Sequence, residues 1–187
     1  MRIRWNRFNT YLLALLAGVL VCGCHSPKSE EKKKEPKQFA TLRLYQEVNP
    51  DPMGRTEIAT VHHDPLVQLT IEKSPFLTEN NVKKAAVLDT VGGFALSIQF
   101  DRQGSWLLEQ YTAATRGRHI AIFSQFVNKG EDKLNQGHWL AAPRIATHIT
   151  DGLLSFTPDV TREEAEAIAR GLNNDALKSQ SSVFKDE

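Results

Sequence analysis

The sequence predicts an α+β domain, with a largely antiparallel sheet and two main helices packed on one side, preceded by a disordered tether. Short alternating apolar and polar runs, separated by glycine, proline and asparagine turns, read as strands. Two longer segments repeat their apolar residues at spacings of three and four, as amphipathic helices do. The order of these elements, strands then helix then strands then helix, fits an α+β fold.

The chain opens with Arg2, Arg4 and Arg7 and no acidic residue near them, followed by an apolar stretch from Tyr11 to Val21 broken only by Gly18. That length suits the roughly 7–15 residues of a secretory signal core and falls short of the roughly 20 needed to span a bilayer as a helix. Residues 1–23 are therefore expected to be an export signal, with an uncleaved anchor helix as the alternative. Val21-Cys22-Gly23-Cys24 resembles the lipobox of bacterial lipoproteins. The resemblance implies cleavage before Cys24, a thioether-linked diacylglycerol on Cys24 and N-acylation of the new terminus. Several acyl chains hold firmly where one is marginal, since each buried methylene contributes about 0.8 kcal/mol.

Cys22 then leaves with the signal and Cys24 is alkylated, so the mature chain has no thiol chemistry. A Cys22–Cys24 disulfide or a two-thiol metal site is the competing reading. His25 is not the aspartate that in some Gram-negative bacteria retains lipoproteins at the inner membrane, which favours the outer membrane. Removing Arg2, Arg4 and Arg7 from the 23 basic residues leaves 20 against 22 acidic ones, a formal charge of −2. So balanced a chain has no long-range field for nucleic acid.

Residues 24–38 carry the lipidated cysteine and a charged run, Lys32-Lys33-Lys34 interleaved with Glu30, Glu31 and Glu35. Such a segment buries too little surface to offset its ordering entropy and is read as a solvated tether. Residues 39–175 form the expected domain, of ordinary size for a single core. Thr41–Gln46 and Val67–Glu72 alternate as strands, with the turn-rich Asn49–Gly54 between them, and Thr78 is placed to cap a short helical turn ending near Val82. Lys84–Asp89 and Phe94–Phe100 read as a hairpin around Gly92-Gly93, with Phe94, Leu96, Ile98 and Phe100 on one face.

Asp101 is an expected N-cap for a helix from Arg102 to about Thr115, with Leu107, Tyr111 and Ala114 on its inner row and Arg116-Gly117 closing it. Arg118–Phe126 returns to strand, with Ile120, Ile122 and Ser124 on one face and Ala121, Phe123 and Gln125 on the other. A polar loop follows, then His138–Ile145, whose Pro143 marks an edge or irregular strand. Asp151-Gly152 is the turn before Leu153–Phe156. Thr161-Arg162-Glu163-Glu164 fits a capping box, and Ala165, Ile168, Ala169 and Leu172 form the inner stripe of the last helix. From Asn173 the apolar pattern fades, and 176–187 reads as a polar tail.

Residues 76–173 are similar to the head subdomain of the first periplasmic region of SecD, a membrane component that assists protein export. The matching pieces are Leu77-Thr78-Glu79, Phe94–Phe100 followed by Gly104 and the Trp106–Thr115 helix, and Arg116-Gly117-Arg118-His119-Ile120-Ala121-Ile122-Phe123. Further along come Ala141-Ala142-Pro143-Arg144-Ile145, Ile149-Thr150-Asp151-Gly152, Phe156-Thr157 and Thr161–Ala165. The resemblance implies an α+β fold and a surface that contacts polypeptide, without the intramembrane carboxylates that couple SecD to the proton gradient.

His62-His63-Asp64 is the only close group of metal-ligand types. Adjacent strand residues point to opposite faces, and Pro65 favours a loop, so a surface loop is the reading here. His119, His138 and His148 are scattered, Ser97, Ser105 and Ser124 lie in no nucleophile elbow, and Gly92-Gly93 lacks phosphate-loop spacing. Glu163 and Glu164 are explained by helix capping. No cofactor, metal site or catalytic residue is expected. Trp139, Trp106 and Phe123 are the candidate binding surface, Trp139 first because it follows a polar loop and precedes the proline segment.

The expectation is a non-enzymatic envelope lipoprotein, bound to the membrane through its lipid and to a protein or peptide partner in the periplasm, with no nucleic acid. An envelope hydrolase whose histidine and carboxylate meet only in the fold, and a purely structural lipoprotein, remain the alternatives.

Overall fold

The computed structural model describes residues 39–61, 66–127, 134–135 and 137–183, with side chains as far as 177. The expected signal, Cys24 and the tether, the His62-His63-Asp64 cluster and most of the 127–137 loop lie outside the described residues.

Strand β1 (Ala40–Gln46) divides the molecule by its alternation. Ala40, Leu42 and Leu44 enter the main core, while Tyr45 enters a second core on the opposite face. Beside it run β4 (Leu77–Thr78) and β7 (Ile120–Phe126), and β8 (His138–Ala141) pairs with the far side of β7. The resulting order is β4-β1-β7-β8, antiparallel at every step. As the period of two requires, Ile120, Ile122 and Phe126 of β7 join the main core and Ala121 and Phe123 the second.

β2 (Thr56–Val61) and β3 (Val67–Glu72) form a separate hairpin whose Ala59, Leu69 and Ile71 close the second core over Tyr45 and Ala121. The β2 strand has a weak sequence signature because Ile58, its largest apolar residue, faces outward and is 73% exposed. The third sheet has the order β5-β6-β9, made by β5 (Val82–Thr90), β6 (Gly93–Phe100) and β9 (Leu153–Phe156). Its first two strands pair down to Thr90 opposite Gly93, so the turn is Val91-Gly92, one residue before the expected glycine pair. Among the described residues all strand pairs are thus antiparallel, in three sheets rather than one.

Helix α1 (Arg102–Ala114) starts at Asp101, whose carboxylate accepts from the Gly104 N–H at 2.7 Å. Its buried row is Gly104, Leu108 and Thr112, with Leu107 half-buried beside it and Ala114 exposed. This rotates the expected Leu107–Tyr111–Ala114 row. The cause is Thr112: its hydroxyl donates to the Leu108 carbonyl at 2.7 Å and accepts from the Ile149 N–H at 2.9 Å. A hydroxyl so satisfied is buried at little cost, and counting apolar residues alone does not see it.

Helix α2 (Arg162–Val183) opens with the expected box: the Thr161 N–H donates to the Glu164 carboxylate at 2.8 Å, and the Glu164 N–H to the Thr161 hydroxyl at 3.3 Å. Ala165, Ile168, Ala169 and Leu172 are buried as expected. The helix then continues through residues 173–183, where the sequence pattern fades. Asn173 does not end it. Its amide accepts from the Ala85 N–H and donates to the Ala85 carbonyl, both at 2.8 Å, and Ala176 is buried one turn on. Both helices feed the main core, on the face of β1 and β7 opposite the hairpin.

One ion pair joins the end of β1 to the start of β7. The Glu47 carboxylate accepts from the His119 N–H at 2.7 Å and lies 2.9 Å from its Nδ1. Partial burial pushes the Glu47 carboxyl up, but the His119 ring and backbone hydrogen bonds and the nearby charges of His119 and Arg118 outweigh it and hold the group below its ordinary value. An ionised acceptor requires that Nδ1 carry the proton.

Two outcomes follow from this packing. A Cβ on Gly171 would stand 2.6 Å from the Ala40 nitrogen and 2.7 Å from its Cβ. Gly171→Ala therefore forfeits about 1–3 kcal/mol to overpacking against about 1 kcal/mol gained in helix propensity, so a lower urea midpoint is expected. Glu47, with its folded value depressed, adds stability that is fully present above the unfolded value of 4.5 and is lost as pH falls through the folded value. Urea titrations through the acid range are expected to show a shallower loss of stability below about pH 4.5 in Glu47→Gln than in the parent chain.

Candidate functional site

Antiparallel edge strands expose N–H and C=O groups that pair with other chains unless something covers or guards them. Asn173 takes both outward groups of Ala85 on β5. The outward Leu140 carbonyl of β8 accepts from the Asp159 N–H at 2.7 Å, and the Thr70 carbonyl of β3 from the Val48 N–H at 2.9 Å. β2 carries Glu57 near its start, a charge of the kind that discourages pairing. β4 is two residues long.

β9 is guarded only at its first residue. The Phe100 N–H donates to the Gly152 carbonyl, which fixes the alternation along the β6–β9 ladder. Leu154 and Phe156 bond inward to β6, and Leu153 and Ser155 turn their backbone groups outward. Asp151 accepts from the Leu153 N–H at 3.0 Å. Among the described residues, no hydrogen bond meets the Leu153 carbonyl or either backbone group of Ser155. The sequence Leu153-Leu154-Ser155-Phe156 carries no charge.

The start of β9 is held firmly. Gly152 has φ +67°, and a Cβ there would lie 1.9 Å from the Ser105 hydroxyl, so only glycine brings this turn onto the first turn of α1. Gln99 donates its amide to the Asp151 and Gly152 carbonyls at 3.1 and 3.2 Å.

The edge is continuous with a bare sheet face. Register places Ala86, Ser97 and Ser155 in one row on the outer side, between Leu88 with Ala95 and Lys84 with Gln99 and Leu153. Neither core contains these residues. Leu88 is 49% and Leu153 41% exposed, whereas Ser97 is buried and accepts from the Ser155 hydroxyl at 3.0 Å.

The residues singled out from sequence lie elsewhere. Trp139 meets Tyr45 edge-on at 5.5 Å and Phe123 at 5.1 Å, half-buried against the second core. Trp106 is 56% exposed on α1 and lines a shallow depression with Asp101, Arg102 and Gln103. No ring contact joins it to Trp139 or Phe123 among the described residues. Leu88, Leu153 and Ser155 were missed; the available signal was the pair Leu153-Leu154, since adjacent leucines in a strand send one side chain outward.

His119 and Glu47 are the one histidine–carboxylate pair among the described residues. The hydroxyls of Ser105, Ser124 and Ser155 bond elsewhere, to the Phe100 carbonyl, the Thr41 carbonyl and Ser97. His138 tilts against Phe126, and His148 is exposed. Among the described residues there is no group of three metal-ligand side chains, and no helix is long and apolar enough to cross a membrane.

The family described as SecDF, P1 head subdomain, matches residues 56–179. Among solved structures, that of a membrane component SecDF that enhances protein export is 21% identical, with a TM-score of 0.50, covering 74% of this chain and 64% of that one. A crystal structure of SecDF in a super-membrane-facing form is also 21% identical, with a TM-score of 0.49, covering 74% of this chain and 19% of that one. The match therefore spans less than two thirds of either neighbour. Curated proteins give no match. With the family matched over more than half its length, the chain belongs to the SecDF P1 head subdomain family.

Proposed function

We propose that this chain is a non-enzymatic lipoprotein of the bacterial envelope, anchored through Cys24, whose domain holds extended polypeptide in the periplasm in support of protein export. The observation that carries this reading is the β9 edge, an uncharged strand whose Leu153 carbonyl and Ser155 backbone groups meet no hydrogen bond among the described residues. An extended segment laid against β9 continues the β5-β6-β9 sheet through main-chain hydrogen bonds, which tolerate any sequence. Each contributes about 0.5–1.5 kcal/mol net, against several kcal/mol of association cost. Binding of that kind is weak and reversible, as suits a chain in transit. Membership of a SecDF head family and the export role described for the solved neighbour support the link to export.

Ser155→Pro removes an outward N–H that takes no part in the β6 pairing, so the fold is retained. Binding of a permanently unfolded model polypeptide to the purified chain is expected to fall about tenfold or more, while Ser155→Ala binds as the parent does. Unchanged binding by a folded Ser155→Pro variant sinks the edge reading. For the anchor, a labelled fatty acid is expected on the parent chain and absent from Cys24→Ser; label persisting on that variant removes Cys24 from its role.

A further inference from the structure

Resting on the edge reading above, we infer that the β9 site selects extended segments that place one bulky apolar side chain, such as leucine or phenylalanine, opposite Ser155. In antiparallel continuation of the sheet, the residue that exchanges both hydrogen bonds with Ser155 points its side chain to the same face as the Ser155 side chain. That is the outer face, where the row running inward from the edge is Ser155, Ser97 and Ala86.

The three side chains of this row are short, and the neighbouring row stands higher at Leu153, 41% exposed. Strands lie about 4.8 Å apart. A leucine or phenylalanine opposite Ser155 therefore covers the exposed Ser155 side chain and lies along the flank of Leu153. Smaller residues leave that surface wet. The flanking ligand residues point to the other face, beside Leu154 and Phe156, which are 5% and 6% exposed and have little surface left to cover. On the outer face the next ligand residue stands opposite Leu153, whose N–H Asp151 already holds, so the residue opposite Ser155 is the one fixed by both hydrogen bonds. No charged side chain stands in the Ser155 row or beside Ser155 in the Leu153 row to pair with a charged guest.

The test uses the full chain in lipid nanodiscs, with empty nanodiscs as the blank, and fluorescent seven-residue Thr/Gln/Ser peptides whose central residue is Leu, Phe, Ala or Asp. Anisotropy titrations are expected to give dissociation constants about tenfold lower for Leu and Phe than for Ala or Asp, the scale of burying one apolar side chain. Ser155→Leu, at an exposed position, fills the row and brings the four peptides within about twofold of one another. Should the four already agree within twofold on the parent chain while Ser155→Pro abolishes binding, the selectivity is overturned and the edge reading stands. Binding that survives Ser155→Pro, or no binding by any peptide, overturns both. The parent-chain series decides the matter whether or not Ser155→Leu folds.

Discussion

The fold depends on how closely α2 sits on two sheets at once. Gly171 has no side chain, so the helix rests directly on the Ala40 backbone of β1. Two residues later, Asn173 presents its amide to Ala85 of β5 as though it were another strand. Ile168 and Leu172, fully buried between these contacts, each contribute on the order of 1.5–3 kcal/mol. One helical turn thereby sets the distance between the four-stranded and three-stranded sheets. It also satisfies both outward groups of Ala85 at the β5 edge.

Local rules wrote much of this into the chain. The Asp101 cap, the Thr161–Glu164 box and the alternation of Leu96, Ile98 and Phe100 depend on residues close in sequence, and each is present in the structure; Phe94, expected on the same face, is half-buried outside the core cluster. Where long-range partners decide, the sequence is silent. Thr112 is buried because Ile149 supplies a donor 37 residues away, and Asn173 stays helical because β5 has an edge to satisfy. Alternation reveals that a face is covered, not by what, so one antiparallel sheet was expected where three exist.

The site was less legible than the fold for a related reason. Trp139 and Phe123 attract attention by residue type, yet large aromatic rings suit a core as well as a groove, and these two flank the second core. An open edge is defined by bonds that are not made, which no residue type announces. β9 is also short, and Gly152 and Pro158 bound it closely. Four residues between such neighbours offer a poor template for the long ladders of aggregates.

The clamp at the start of β9 has a thermodynamic consequence. With Gly152 pressed on Ser105 and the preceding carbonyls held by Gln99, the strand has already surrendered its conformational freedom in folding. The ordering cost of an encounter, about 1–2 kcal/mol per fixed residue, then falls on the visitor alone. A collapsed chain must bear all of it, whereas a chain drawn taut has been stripped of much of that freedom beforehand. On the proposed binding role, the edge would grip segments under tension more tightly than slack ones of the same sequence.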